Sequence, residues 1–74
     1  MAGHLVKRSF TLAGHRTSVA LEPEFWAVLE AEAVRRGEPL LRLVAATDAG
    51  RDDPDLPLAS ALRVLALGVA RNGG

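Results

Sequence analysis

The feature that most constrains this chain is a short alternating segment, residues 16–21, that runs directly into a proline-started helix. Strand side chains point alternately to two faces. One face here is apolar and the other is small, polar and headed by an arginine: Thr17, Val19 and Leu21 against Arg16, Ser18 and Ala20. A lone strand cannot satisfy its own backbone groups. It must therefore pair with the preceding segment or with a second copy of the protein.

The preceding segment, residues 7–13, also alternates, but its apolar residues fall on even numbers and those after Gly14 on odd numbers. Because one residue of slip exchanges the faces of a strand, Gly14 must mark a break. Either Gly14 and His15 form a two-residue hairpin turn, or Gly14 makes a bulge in one long strand. The hairpin predicts three facing pairs: Leu12 with Thr17, Phe10 with Val19, and Thr11 with Ser18. The pattern slightly favours a hairpin or a mobile arm and leaves the choice open.

Three segments with helical spacing follow. Pro23 opens the first and Gly37 ends it. The second opens at Glu38-Pro39 and stops near Gly50. After a charged turn, the third runs from about residue 57 to residue 71 and is apolar on most sides. A helix of that kind in so small a protein favours burial in a dimer core.

Length and composition predict one small domain that associates with itself. We assign residues 7–71 to the domain, residues 1–6 to a flexible N-terminus and residues 72–74 to a frayed C-terminus. The chain is 49% hydrophobic and has no cysteine, so its core has more apolar surface than a small monomer easily hides and no disulfide to support it.

No apolar run approaches the ~20 residues that span a bilayer, and the start lacks the order of a secretory signal. We therefore expect a cytoplasmic protein.

Charge is divided unevenly along the chain although it sums to zero. Lys7, Arg8 and Arg16 all precede the first acidic residue, Glu22. The rest of the chain has six basic and nine acidic residues. Such polarity orients the N-terminal region toward an anion.

No group of residues in the sequence has the spacing of a catalytic or metal site. There is no nucleophile motif, no metal-ligand pair at helical spacing and no glycine-rich phosphate loop. His4 and His15 are isolated, and the aspartates of residues 52–55 lie in a loop too short for calcium. Phe25 and Trp26 have the spacing of core residues rather than of a base-stacking pair. We predict that the protein is not an enzyme and needs no metal or cofactor.

The polar strand face has the properties of a surface that reads DNA. Two antiparallel strands are narrow enough for the major groove, which is ~12 Å wide. Arg16 can bond bidentately to guanine, Ser18 can donate or accept, and Ala20 permits close approach. The N–H groups that open the second helix, Glu38 to Leu41, can hold a phosphate. The alternative is the polar outer face of an ordinary sheet.

The order of elements resembles the ribbon-helix-helix superfamily of bacterial DNA-binding proteins. The run KRSFTLAGHRTSVALEPEFW, residues 7–26, and the run LASALRVL, residues 58–65, are similar to a family of short bacterial proteins within it. This resemblance implies a mainly α fold with a short N-terminal β-ribbon and, here, an additional C-terminal helix. It also implies an intertwined homodimer in which strands pair across a two-fold axis.

From the pattern and the resemblance together we predict sequence-specific binding of duplex DNA by a transcriptional regulator. The predicted base contacts are Arg16, Ser18 and Ala20. The predicted contacts with the DNA backbone are Lys7, Arg8, His15, Glu38, Leu40 and Leu41. The predicted dimer core consists of Val19, Leu21, Trp26, Leu29, Val44, Leu62 and Leu65. The rival hypothesis is a dimeric, antitoxin-like module that binds another protein and has weak or no DNA binding.

Overall fold

The computed structural model describes residues 4–72 and has two strands followed by three helices. They are β1 (Val6–Leu12), β2 (His15–Leu21), α1 (Pro23–Arg36), α2 (Leu40–Ala49) and α3 (Leu58–Asn72). The predicted fold class, a β-ribbon followed by helices with an additional C-terminal helix, is confirmed. Of the predicted flexible ends, residues 1–3 and 73–74 lie outside the described residues, while Val6 already belongs to β1 and Asn72 still belongs to α3.

The two strands form an antiparallel hairpin, which is the first of the two predicted alternatives. Its turn residues, Ala13 and Gly14, both have positive φ, 51° and 81°, as a type I′ turn requires. Leu12 therefore faces His15, and Ser9 faces Ser18. The predicted register is wrong by two residues, because the turn lies one position earlier than expected. A shift of two keeps the parity of every residue, so each strand face has the composition that was predicted.

Trp26 fastens the hairpin to α1. Its ring is 2% exposed, and its Nε1 donates a hydrogen bond to the carbonyl oxygen of Val6 at 2.8 Å. The ring also lies 6.0 Å from that of Phe10, measured between centroids, at an interplanar angle of 38°. Tilted aromatic pairs of this kind add to the stabilisation that burial alone provides. One side chain thus holds both the backbone of β1 and its apolar face.

The bounds of α1 follow from its terminal residues. Pro23 occupies the first helical turn, where its missing N–H costs nothing. Gly37 adopts the left-handed conformation, with φ of 70°, and donates its N–H to the carbonyls of Ala33 and Val34. The N–H of Glu38 also bonds to the oxygen of Ala33, at 3.0 Å, which completes a Schellman-type cap. The chain leaves this cap and begins α2 at Leu40, with Pro39 as its N-cap.

The core is closed within one chain because α3 packs against α1, α2 and β2. The largest side chains that are almost completely buried among the described residues are Leu21, Leu29, Leu43, Val44 and Leu62. Each contributes about 1.5–3 kcal/mol relative to an exposed position. Six of the seven predicted dimer-core residues are buried in this single-chain core, and the seventh, Leu65, is partly buried. Their role across a dimer interface stays a prediction.

None of the helices formed by the described residues is both long enough and apolar enough to cross a membrane.

Candidate nucleic-acid interface

One face of the hairpin consists of short polar side chains bounded by two cations, and we call it the ribbon face. Its members face each other in three rows: Lys7 with Ala20, Ser9 with Ser18, and Thr11 with Arg16. All are exposed except Ala20, which is half-buried. The hydroxyls of Ser9 and Ser18 lie 3.1 Å apart in the middle row. The centre of the face is thus a hydroxyl pair that can donate and accept hydrogen bonds, and a cation lies in each outer row.

The two cations of the ribbon face are electrostatically uncompensated. Neither Lys7 nor Arg16 has an ion pair within residues 4–72, and the ribbon face itself contains no acidic residue. Most other arginines of the chain are paired. Positive charge is therefore available for an anionic ligand on this face of the hairpin.

Arg8 lies on the opposite face, with Phe10 and Leu12, as its parity requires. Its guanidinium stacks over the ring of Trp26, 4.9 Å from the centroid, and pairs with the carboxylate of Glu30 on α1. The contact of Arg8 with the DNA backbone stays a prediction, and in this structure its side chain contacts Trp26 and Glu30 instead. Arg8 and Lys7 share a positive charge, but strand alternation places them on opposite faces of the hairpin.

The backbone of the same β2 residues faces an unpaired edge. Residues that flank a two-residue turn exchange hydrogen bonds, and bonded and non-bonded pairs then alternate along the hairpin. Leu12 and His15 flank the turn, so Arg16, Ser18 and Ala20 direct their N–H and C=O groups away from β1. Since β1 is the only neighbour of β2 within the described residues, this edge is open. The three residues predicted to read bases therefore also present a strand edge.

The start of α2 contains a cation that the sequence prediction missed. Arg42 is exposed, lies in the first turn of α2 and has no ion pair within residues 4–72. No acidic residue occupies that turn, whereas the half-buried Glu38 lies before it, 3.9 Å from Arg36. The signal was present, because Arg42 is the only charged residue in residues 40–47. The phosphate contacts predicted for Leu40 and Leu41 stay predictions, and Arg42 supplies the charge that those apolar residues lack.

The remaining polar candidates do not come together as a site. His15 is exposed beside the turn, and His4 is exposed before β1. Among the residues that the structure describes, no group of three or more histidine, cysteine, aspartate or glutamate side chains could hold a metal ion. In the loop before α3, the carboxylate of Asp53 accepts a hydrogen bond from the N–H of Asp55 at 2.9 Å. The aspartates here shape a turn.

Paired charges elsewhere have visible structural roles. Glu32 is only 5% exposed and accepts hydrogen bonds of 2.6–2.8 Å from Arg35 and Arg36. The bonds from Arg35, and then those from Arg36, lower the pKa of Glu32 to about 2. The bond with Glu32 in turn raises the pKa of Arg35.

A second structural pair joins the start of α1 to α3. Arg63 lies 3.0 Å from the carboxylate of Glu22. The pKa of Glu22 is lowered, first by its own backbone N–H and then by Arg63. The Glu22–Arg63 pair connects α1 to α3, and the bonds to Glu32 connect successive turns of α1. Near the hairpin and the start of α2, the cations without an ion pair among the described residues are Lys7, Arg16 and Arg42.

Comparison with known proteins identifies the family. The sequence matches the model of the ribbon-helix-helix domain over residues 5–69. The chain belongs to the ribbon-helix-helix family. Proteins of this family generally bind DNA as transcription regulators or antitoxins and are not known as enzymes.

A solved structure supports the same fold. An uncharacterized protein from Bordetella pertussis Tohama I is 32% identical, with a TM-score of 0.72 over 93% of this chain. The chain spans 60% of the length of that structure. A search of curated proteins finds no match.

Proposed function

We propose that this ribbon-helix-helix protein binds specific duplex DNA sequences as a homodimer and regulates transcription. The observation that carries the proposal is the ribbon face, where Lys7 and Arg16 are uncompensated and bound a pair of serine hydroxyls. Contacts between cationic side chains and the DNA phosphates supply affinity, whereas contacts with base edges supply specificity. A narrow face that offers both types of group suits the major groove.

In the proposed dimer, the open edge of β2 pairs with β2 of a second copy. The edge belongs to Arg16, Ser18 and Ala20, so antiparallel pairing is centred on Ser18 and sets Arg16 opposite Ala20 of the second copy. A central row of serines then crosses four strands. In the outer rows, Ala20 lies between Lys7 of its own chain and Arg16 of the second copy. Strands are spaced ~4.8 Å apart, so the small side chain of Ala20 separates two cations by about 10 Å.

The four strands are wider than the groove but fit it in part. Three spacings of ~4.8 Å place the outer strands about 14 Å apart, against a groove width of ~12 Å. The two β2 strands therefore enter the groove, where Arg16 meets guanine and Ser18 meets other base edges. Lys7 on the outer strand faces the phosphates along the rim. Arg42 and the free N–H groups at the start of α2 provide a second phosphate contact.

Selection of bound fragments from random DNA tests the proposal. We expect the selected sequence to bind at least 10³-fold more tightly than a scrambled one, measured by fluorescence anisotropy at fixed salt. The logarithm of affinity should also fall linearly with the logarithm of salt concentration. Lys7→Ala should reduce that slope by about two, because each copy of the dimer loses one phosphate contact.

Two outcomes would contradict the proposal. One is an affinity that does not change with salt. The other is a selection that enriches no sequence; if a pull-down then recovered a protein, it would support the antitoxin-like module instead.

A further inference from the structure

A strip of α3 next to the core is left uncovered, and we call it the α3 stripe. Its members recur at helical spacing on one face: Ala61, Val64, Leu65, Gly68 and Asn72. Val64 is 66% exposed. The stripe lines two adjoining hollows, one of about 680 Å³ against the end of α1 and one of about 450 Å³ against the loop before α3. Val64 and Leu65 line both hollows, so the two form one continuous surface.

The two ends of the α3 stripe have opposite charge. At its C-terminal end the hollow is lined by Arg35 and Arg36, which share the single carboxylate of Glu32. The exposed Arg71 lies in the last turn of α3 and has no ion pair within residues 4–72, so it gives this end a net positive charge. At its N-terminal end the hollow is lined by Arg51, Asp52 and Asp53 beside the exposed Leu56.

Arg51 does not neutralise the acidic end. It is held by Asp48 at 2.9 Å, so the aspartates of the loop stay uncompensated. The stripe is thus apolar in the middle, positive at one end and negative at the other.

We propose that a second copy of this chain packs its α3 stripe against this one, antiparallel, about a two-fold axis. In that arrangement each acidic end meets the basic end of the other copy, as a self-complementary two-fold interface requires. Ala61 and Gly68 have little or no side chain, so the helices can approach closely between the ridges of Val64 and Leu65. A β-carbon added at Gly68 meets no atom within 4 Å in a single chain, so the space above it is open.

This interface uses a different surface from the open edge of β2. Its evidence is the apolar stripe and its charged ends, and it does not depend on DNA binding. The two interfaces can therefore be separated by substitution. Proline at Ser18 removes an N–H that faces the open edge while leaving the bonds between β1 and β2 in place.

Sedimentation velocity of Ser18→Pro tests the α3 interface with strand pairing blocked. We expect this variant to form a dimer at tens of micromolar. Adding Gly68→Gln to this variant should weaken association at least tenfold, because a long side chain at position 68 prevents the two α3 helices from approaching closely. Ala70→Gln is the matched control, since Ala70 is exposed on another side of α3 and should leave the dimer intact.

Circular dichroism checks that each variant retains its helices. Monomeric Ser18→Pro at every concentration would overturn the proposal, and so would equal effects of the two glutamines. Neither result bears on the DNA selection.

Cross-linking provides a second test with Ser18 retained. The chain has no cysteine, so Val64→Cys introduces a single thiol. In an antiparallel pair centred on the stripe, the two copies of residue 64 lie about 8 Å apart along the axis, from the rise of 1.5 Å per residue. A short bismaleimide should join them, whereas the control Ala70→Cys should remain single. Failure of Val64→Cys to cross-link would overturn the proposed packing.

The charged ends test the orientation. Asp52→Lys sets a cation against the basic end of the second copy and should weaken association at least fivefold, while Asp53, whose carboxylate bonds to the N–H of Asp55, is left unchanged. Adding Arg71→Glu should recover part of that loss, because opposite charges then face each other again. Recovery would support the antiparallel arrangement, and a further loss or no change would overturn it.

Discussion

The cations of the ribbon face and those at the end of α1 are used in different ways. Arg35 and Arg36 both bond to Glu32, and each therefore contributes to holding a nearly buried carboxylate in place. Lys7 and Arg16 project from a hairpin with no acid within reach among the described residues. The chain is neutral in sum, yet the arginines at the end of α1 are bonded to a carboxylate of their own chain, whereas the cations of the ribbon face are left for a ligand.

The hairpin shows the same contrast within a single element. Arg8 and Lys7 are neighbours in sequence, but Arg8 lies under the ribbon with Trp26 and Glu30, whereas Lys7 lies on the ribbon face. Alternation alone separates a structural cation from an available one. Net charge is consequently a poor guide to what a small domain binds, and the charge on each face is a better one.

Replacing Trp26 should have the largest effect on the structural side of this comparison. Trp26→Ala removes the packing against Phe10 and Arg8 and the hydrogen bond to Val6, and we expect a loss of about 3–5 kcal/mol in the free energy of unfolding. Urea denaturation measures it. The control is Val34→Ala on the same helix, which is 80% exposed in the chain and should change stability by less than about 0.5 kcal/mol. A loss below about 1 kcal/mol for Trp26→Ala would mean that the hairpin is held by other contacts.

Substitutions of Arg16 and Arg8 should affect different properties: the first should affect DNA binding and the second should affect stability. Arg16→Ala is expected to abolish specific DNA binding, because each bidentate contact is worth about 1–3 kcal/mol and a dimer loses two. Its thermal stability should be unchanged. Arg8→Ala should retain affinity when folded but lose about 0.5–1 kcal/mol of stability, from its contacts with Trp26 and Glu30. Full affinity of Arg16→Ala on its best sequence would show that the ribbon face does not read bases.

Acid should selectively weaken the paired region. The pKa of Glu32 lies at about 2, below its ordinary value of 4.5, so its ionised form favours the folded state above pH 4.5. That stabilisation is lost as pH falls from about 5 toward 2. The difference in melting temperature between the native chain and Glu32→Gln should therefore be large near neutral pH and shrink in this window. Asp55→Asn, at an exposed loop position without an ion pair among the described residues, is the control with little effect throughout. A difference for Glu32→Gln that stays constant with pH would contradict the assigned role.

A substitution in the hairpin turn should have the smallest effect, which is an increase in stability. Ala13 has a φ of 51°, which costs a residue with a β-carbon about 1–2 kcal/mol relative to glycine. Asn-Gly is a preferred type I′ pair, so Ala13→Asn should raise stability by about 0.5–1 kcal/mol in urea denaturation. The same substitution at the exposed Ala27 of α1 should instead lower stability by about 0.5 kcal/mol. A loss at Ala13 would mean that the turn is of another type.

Helix bounds and strand faces could be predicted because local chemistry decides them. Helix α1 begins at Pro23 and ends before Gly37, as the sequence indicated. Proline lacks the N–H that the first turn leaves unbonded, and glycine readily adopts the positive φ of the cap. The ribbon face has its predicted members, because parity survives a register error of two. The register itself was missed. Glycine is favoured at the first position of a hairpin turn, but here Ala13 occupies that position and the paired strands hold it at a positive φ.

By itself, the sequence determined which residues share a face and where each helix begins and ends. Both follow from steric rules that act over a few neighbouring residues. Tertiary structure alone decided which cations are engaged, that α3 closes the core of its own chain, and that a charged apolar stripe is left uncovered. Those outcomes depend on pairs such as Arg8 with Glu30 and Glu22 with Arg63, which lie 22 and 41 positions apart and are adjacent only after folding.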